Sequence, residues 1–265
     1  MTRRLLVLPA AIVLFAMCTR TEVHELEDGR WIDLTHSFSE ETLFWPTSSV
    51  FKLDTVFTGH TDAGFYYEAY EFCTAEHGGT HLDAPIHFAE GKKTADELEI
   101  SRLAGRAAVI DVSAQVAEDR DYQIQTADIT AWEEQYGELS PGSILLFHTG
   151  MSDYWPDAER YLGTAKRGEE GVAELSFPGI HPEAAQWLVD NRQVSAVGLD
   201  TPSLDYGRSQ LFETHRIQFE QNIPGFENVA NLGELPPDGA FVIALPMKIK
   251  NGSGAPLRIV AHVKQ

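Results

Sequence analysis

The 265-residue chain carries 20 basic against 40 acidic side chains, a formal charge of −20, and 43% of its residues are hydrophobic. Such a chain can bury a sizeable core, which excludes wholesale disorder. The acidic excess argues against a nucleic-acid partner and against stable adsorption on anionic lipid, because both depend on clustered Lys and Arg. A small aromatic or cationic substrate is compatible with it.

Met1-Thr2-Arg3-Arg4 is a short basic start, followed by an apolar run from Leu5 to Cys18 and then polar Thr19-Arg20-Thr21-Glu22. This is the layout of a secretory signal. The run is interrupted by Pro9 and falls short of the ~20 residues a bilayer span needs, so a membrane anchor is the lesser reading. Residues 1–20 are therefore expected to be a signal peptide, and the protein periplasmic or extracellular. Cys18 is a candidate lipidation site, although Met17 stands in front of it where a small residue is expected. Removing residues 1–20 takes away Arg3, Arg4 and Arg20 and no acid, which moves the charge from −20 to −23. Cys73 is then the remaining thiol, with no partner for an intramolecular disulfide. Its apolar surroundings read as core.

Residues 21–265 show no repeat, low-complexity block or linker and read as one domain. Trp31–Leu34 and Phe51–Val56 alternate apolar and polar side chains as half-buried strands do, and Phe65–Phe72 is an aromatic-rich strand. Ala107–Val112, Ser143–Phe147, Ser195–Leu199 and Phe241–Leu245 are short apolar runs bounded by Gly, Pro or Asp, suited to buried strands. Leu257–Val263 forms a last strand. Helices are expected over Asp128–Tyr136, ended by Gly137, over Pro182–Asn191, opened by a first-turn proline, and over Leu211–Phe219. The pattern is mixed α/β.

The chemistry concentrates in His77-Gly78-Gly79-Thr80-His81-Leu82-Asp83-Ala84-Pro85-Ile86-His87-Phe88. Imidazole and carboxylate are ligands for Zn²⁺, Mn²⁺ or Fe²⁺. Gly78-Gly79 and Pro85 oppose a helix, so a strand and a glycine turn are expected to aim residues 77, 81 and 83 at an ion. With two cysteines in the chain, a Cys-rich zinc module is excluded, so any metal is held by nitrogen and oxygen. No Gly-x-Ser-x-Gly elbow exists, and Gly252-Ser253-Gly254 reads as a turn.

This segment resembles the signature of the metal-dependent cyclase-like hydrolases, a family that includes bacterial kynurenine formamidases and isatin hydrolases. The resemblance extends from about Trp31 to Val263 through Phe44-Trp45-Pro46, Leu146-Phe147-His148-Thr149-Gly150, Gly198–Thr201 with Asp205-Tyr206-Gly207, and His215 with Glu227-Asn228. It implies a swivelling β/β/α domain around a small central β-barrel, assembled as a homodimer or larger. It makes His77, His81 and Asp83 metal ligands. His215 and Glu227 become ligands of a second ion or close the same site, around one or two Mn²⁺ or Zn²⁺ ions. His87 takes the acid/base role, and Phe44 and Trp45 form an aromatic substrate wall, with Phe65 as a further candidate.

Thr47 follows Pro46 where formamidases commonly carry Gly-Asp, and His148 replaces a common Arg. The Asp200–Gly207 block and the closing Lys248–Arg258 stretch look more like isatin-hydrolase relatives. The function implied is metal-assisted hydrolysis of a small aryl or cyclic amide, as in isatin to isatinate. Release of formate from N-formylkynurenine is the alternative, and a non-catalytic exported protein that binds metal or an aromatic ligand is the reading from another class. His24, His36, His60, His181 and His262 show no partner pattern and are taken as surface or structural.

Overall fold

A computed structural model describes residues 28–264. Residues 1–20, with Cys18, and His24 lie outside the described residues. The strands are β1 (Arg30–Asp33), β2 (Lys52–His60), β3 (Tyr66–Cys73), β4 (His81–Asp83), β5 (Ala104–Asp111), β6 (Gln123–Ile124), β7 (Ile144–His148), β8 (Gly179–Ile180), β9 (Ala196–Leu199), β10 (Gly225–Glu227), β11 (Asp238–Pro246) and β12 (Gly254–Val263). The helices are α1 (Ile100–Leu103), α2 (Ser113–Glu118), α3 (Thr126–Tyr136), α4 (Ala158–Leu162), α5 (Gly168–Glu174), α6 (Pro182–Asn191) and α7 (Glu213–Phe219).

Seven strands close on themselves in the order β12-β11-β5-β7-β9-β10-β4 and back to β12. The four strands β5, β7, β9 and β10 run parallel. The remaining junctions are antiparallel. One edge of β12 is divided: Gly254–Pro256 pairs with β4, and Val260–Val263 pairs with β1. This is the mixed α/β barrel fold that the resemblance implies.

The apolar strands alternate between two cores. Ala107 and Val109 of β5, Ile144 and Leu146 of β7, Leu82, Phe226, Val242 and Ile259 share one cluster fed by all seven strands, which is the barrel interior. The intervening Ala108, Ile110, Leu145 and Phe147 belong to a second cluster, with Ile129 and Trp132 of α3, Leu188 of α6 and Phe219 of α7. Strands covered on both faces show continuous apolar runs, which is why these short segments were legible as buried.

The first two predicted helices fall where expected, and the third begins at Glu213, after Phe212 in a left-handed conformation with φ 47°. The aromatic strand is half of a separate hairpin, β2–β3. There the expectation for Cys73 fails: it is exposed. The hairpin pairs with nothing but itself, so its apolar side chains enter no core among the described residues.

Candidate metal centre and its pocket

Strand β4 sorts its three residues by face. Leu82 points into the barrel interior, so His81 and Asp83 point out of it. On the neighbouring β10, Phe226 is the interior residue and Glu227 faces out. The register sets Glu227 opposite His81 and Gly225 opposite Asp83, which brings together residues 146 positions apart in the sequence. His81, Asp83 and Glu227 are all buried.

Helix α7 delivers His215 onto this face. Asp205 accepts the backbone N–H groups of Thr214 and His215 at 3.1 and 3.2 Å, and so caps the helix start. The same carboxylate takes the Nδ1–H of His215 at 2.5 Å. His215 Nε2 then faces Glu227 Oε1 at 3.0 Å and Asp83 Oδ2 at 3.5 Å. An imidazole oriented by a carboxylate on its far nitrogen is the arrangement that metal-ligating histidines use. His81 shows the same logic, with Nδ1–H donated to Gly79 O at 2.9 Å.

The donor set fits a divalent cation. His81 Nε2 is buried and makes no hydrogen bond. It nevertheless lies 3.1 Å from Asp83 Oδ1 and 3.3 Å from Glu227 Oε2. A nitrogen and two carboxylates converge without satisfying one another, which a cation between them would resolve. Two overlapping triads, His81-Asp83-Glu227 and His77-Asp83-His87, could each hold an ion and share Asp83.

Electrostatics point the same way. Burial opposes a charge on His81, yet Asp83 and Glu227 outweigh it and raise its pKa to about 10. Burial likewise opposes charge on His215, but Asp205, Asp83 and Glu227 hold its pKa well above the ordinary value. Burial would raise Asp83, and the surrounding His77, His215 and His81 reverse this and hold it well below the carboxylate range. The site therefore gathers positive charge, whether as protons or as a metal ion.

His87 differs. It ends a short 3₁₀ turn after Pro85. Its ring stacks on His77 with centroids 3.8 Å apart, and its Nε2 is 4.0 Å from Asp83 Oδ2. Burial dominates and lowers its pKa to about 4, so it is a neutral imidazole at neutral pH.

These groups floor a cavity of about 250 Å³ walled by Leu43, Phe44, Trp45, Phe88 and Phe212. The volume lies just under the ~300–1,000 Å³ usual for drug-sized ligands, which suits a small ring. A Cβ on Gly78 would sit 2.0 Å from the Phe44 ring, so this glycine lets the wall close over the loop. Phe88 and Phe212, 5.0 Å apart, were not singled out in the sequence, where nothing but neighbourhood to His87 and His215 marks them. Asp205 was visible as part of a shared block but not as the partner of His215. Phe65 is no part of the wall, because it stands exposed beyond the hairpin turn. His148 does not line the cavity and sits 3.4 Å from Asp111. Of the remaining histidines, His36 stacks on Trp155, His181 caps α6 and His262 is buried.

The model of the family described as "Putative cyclase" matches residues 32–206. The chain belongs to the cyclase family. It is 33% identical over 196 residues to the isatin hydrolase of Roseibium aggregatum, covering 71% of this chain and 72% of the relative. It is 29% identical over 230 residues to the kynurenine formamidase of Salinibacter ruber, covering 86% and 95%. The structure of isatin hydrolase A from Ralstonia solanacearum superimposes with a TM-score of 0.79 at 32% identity, covering 89% of this cyclase-family chain and 92% of that one.

Proposed function

We propose that this cyclase-family protein is a metal-dependent hydrolase that opens a small aryl or cyclic amide, with isatin as the leading substrate. The observation that carries this is the convergence of His81, Asp83, Glu227 and His215 beneath an aromatic-walled cavity, in a chain similar over most of its length to an isatin hydrolase.

His77, His81, Asp83, His215 and Glu227 would hold one or two Mn²⁺ or Zn²⁺ ions. Such an ion supplies Lewis acidity toward the amide carbonyl and eases deprotonation of water near neutral pH. The protein's own groups do the rest. Phe44, Trp45 and Phe212 take the flat ring and exclude water from it. Arg167 holds this wall by donating to the carbonyls of Phe44 and Trp45 at 3.4 and 3.3 Å. His87, neutral and half-buried at the cavity floor, accepts a proton from the attacking water and returns it to the nitrogen as the C–N bond breaks.

The test is an absorbance assay of the metal-loaded protein on isatin, N-formylkynurenine and a simple aryl formamide, alongside metal analysis. Ring opening of isatin is expected. Turnover confined to N-formylkynurenine would make the protein a formamidase, which its 29% identity to one makes the second reading. Tight binding without turnover on any of the three would leave a binding protein and refute hydrolysis.

Two further readings belong with this one. We infer that residues 1–20 direct export, on the basic-apolar-polar layout of that segment; a periplasmic fraction containing uncleaved protein would refute cleavage there. We also infer a homodimer built on the β2–β3 hairpin. Leu53, Val56, Phe57, Phe65, Tyr66, Tyr67, Tyr70 and Phe72 are all exposed on it. Leu53, Tyr66, Tyr70 and Phe72 share one face of the ribbon and Phe65 and Tyr67 lie on the other. At ~100 Å² of exposed surface each, a partner that clasps both faces would cover roughly 800 Å², about one side of a standard interface.

A further inference from the structure

The turn Gly252-Ser253-Gly254, which shows nothing but turn composition in the sequence, sits against the first candidate ligand. The His77 ring packs against it, and a Cβ on Gly254 would come 2.5 Å from His77 Cε1. His77 Nε2 is 2.9 Å from Ser253 Oγ, and His77 Nδ1 is 2.6 Å from Asp83 Oδ1. On its other side Ser253 meets Glu76. Its backbone N–H and its hydroxyl both donate to Glu76 Oε2, at 3.0 and 2.7 Å.

The hydrogen bonds along this chain fix which nitrogen of His77 donates to Ser253. An ionised carboxylate accepts and cannot donate, and a hydroxyl has one hydrogen to give. Ser253 gives that hydrogen to Glu76, so its Oγ can only accept from His77. Nε2 must therefore keep a proton, which leaves Nδ1, facing Asp83, as the nitrogen that a cation would take. A histidine holds a metal through its bare nitrogen, and the group on the far nitrogen decides which one that is.

We propose that Ser253 and Glu76 are positioning residues that set the tautomer of His77 and so present its Nδ1 to the metal. This rests on the metal-hydrolase reading. It joins the closing β12 strand to the site, since Ser253 immediately precedes it. It also gives a task to Glu76, a residue that precedes the ligand motif and has no place in the wall or the floor of the cavity.

The experiment uses the full-length protein with ¹⁵N-labelled histidine, stripped of metal and then titrated with Zn²⁺ against a chelating dye. Long-range ¹H–¹⁵N spectra of the metal-free wild type should show His77 protonated on Nε2. Ser253→Ala should weaken Zn²⁺ binding roughly 10- to 100-fold, and Ser253→Thr, which restores the hydroxyl, should recover most of it. Glu76→Ala frees the hydroxyl to turn either way, so a form of His77 without a proton on Nε2 should appear beside the wild-type form; a purely structural contact would not produce that mixture. Unchanged thermal unfolding of metal-free Ser253→Ala would separate the effect from misfolding. A His77 with no proton on Nε2 in the wild type, or Zn²⁺ affinity unmoved in Ser253→Ala while the wild type binds Zn²⁺, would overturn the proposal alone. A wild type that takes up no metal would overturn the metal-hydrolase reading and this proposal with it.

Discussion

At the level of single residues, His81 and His87 are close in sequence and opposite in character. His81 is buried between two carboxylates and collects positive charge, whereas His87 is kept neutral by burial at the cavity floor. His81→Ala should therefore abolish metal binding. His87→Ala should keep the metal and lose about 10²- to 10⁴-fold in turnover. Metal content and kcat measured on the same preparations check both, and full activity in His87→Ala would remove His87 from the mechanism. His36 offers a separate test at a residue that is not among the candidate ligands. Burial lowers its pKa from 6.5 to about 4, so the unfolded chain binds a proton more readily than the folded one. Stability should then fall as the pH drops from 6.5 towards 4, by as much as ~3 kcal/mol from this residue, and level off below. His36→Phe keeps a ring to stack on Trp155 and removes the titration, so its acid limb in denaturant melts should be shallower than that of the wild type. An unchanged limb would mean His36 is not the group responsible.

At the level of elements, β4 shows both what the sequence made legible and what it did not. His81-x-Asp83 with an apolar Leu82 between them is readable as a strand with a polar and an apolar face, and the glycines before it as a turn. The mixed α/β class, the helix over Pro182–Asn191 and the buried strands were equally plain, since each carries its own periodicity. Pairing is another matter. Nothing local in Gly225-Phe226-Glu227 says that it lies beside β4 with Glu227 opposite His81. Without the family resemblance, Glu227 would have been one acid among forty. Asp205 went unassigned for the same reason, because its partner is in a helix that begins eight residues later. The hairpin misled in the opposite sense: its aromatic alternation looked half-buried because the chain's own core was the assumed partner. The two-faced strand carries a prediction. Leu82→Ala should cost ~2–5 kcal/mol in chemical denaturation, as deletion of buried leucine methyls does. It should also weaken metal binding, because Leu82 anchors the strand that aims both ligands. Loss of stability with metal affinity intact would show that β10 and β12 hold the strand without that anchor.

For the whole molecule, the exposed β2–β3 hairpin is the surface on which the proposed dimer rests. Phe57 and Tyr67 lie together on it at 5.7 Å, and Leu53 is paired with Phe72. Phe57→Asp combined with Phe72→Asp should convert a dimer to a monomer in light scattering at unchanged secondary structure, and a wild type that runs as a monomer would end the proposal. The hairpin leaves the body just after Ser48, which lines the cavity, and returns shortly before His77. A dimer clasped there would steady the cavity wall, so the monomeric variant should show a raised KM.

Barrel closure has a consequence in time. His81–Asp83 cannot find their neighbours until Glu227 and then Gly254–Pro256 have been made. At ribosomal rates of ~5–20 residues per second, Asp83 waits on the order of ten to thirty seconds for the last strand. During that interval the histidine motif is a loose cluster of donors with no site around it, and closure through such distant pairings is intrinsically slow. The finished chain, rather than the nascent one, would choose the ion of the proposed site. For the exported metalloprotein proposed above, that choice would fall to the supply available where folding is completed.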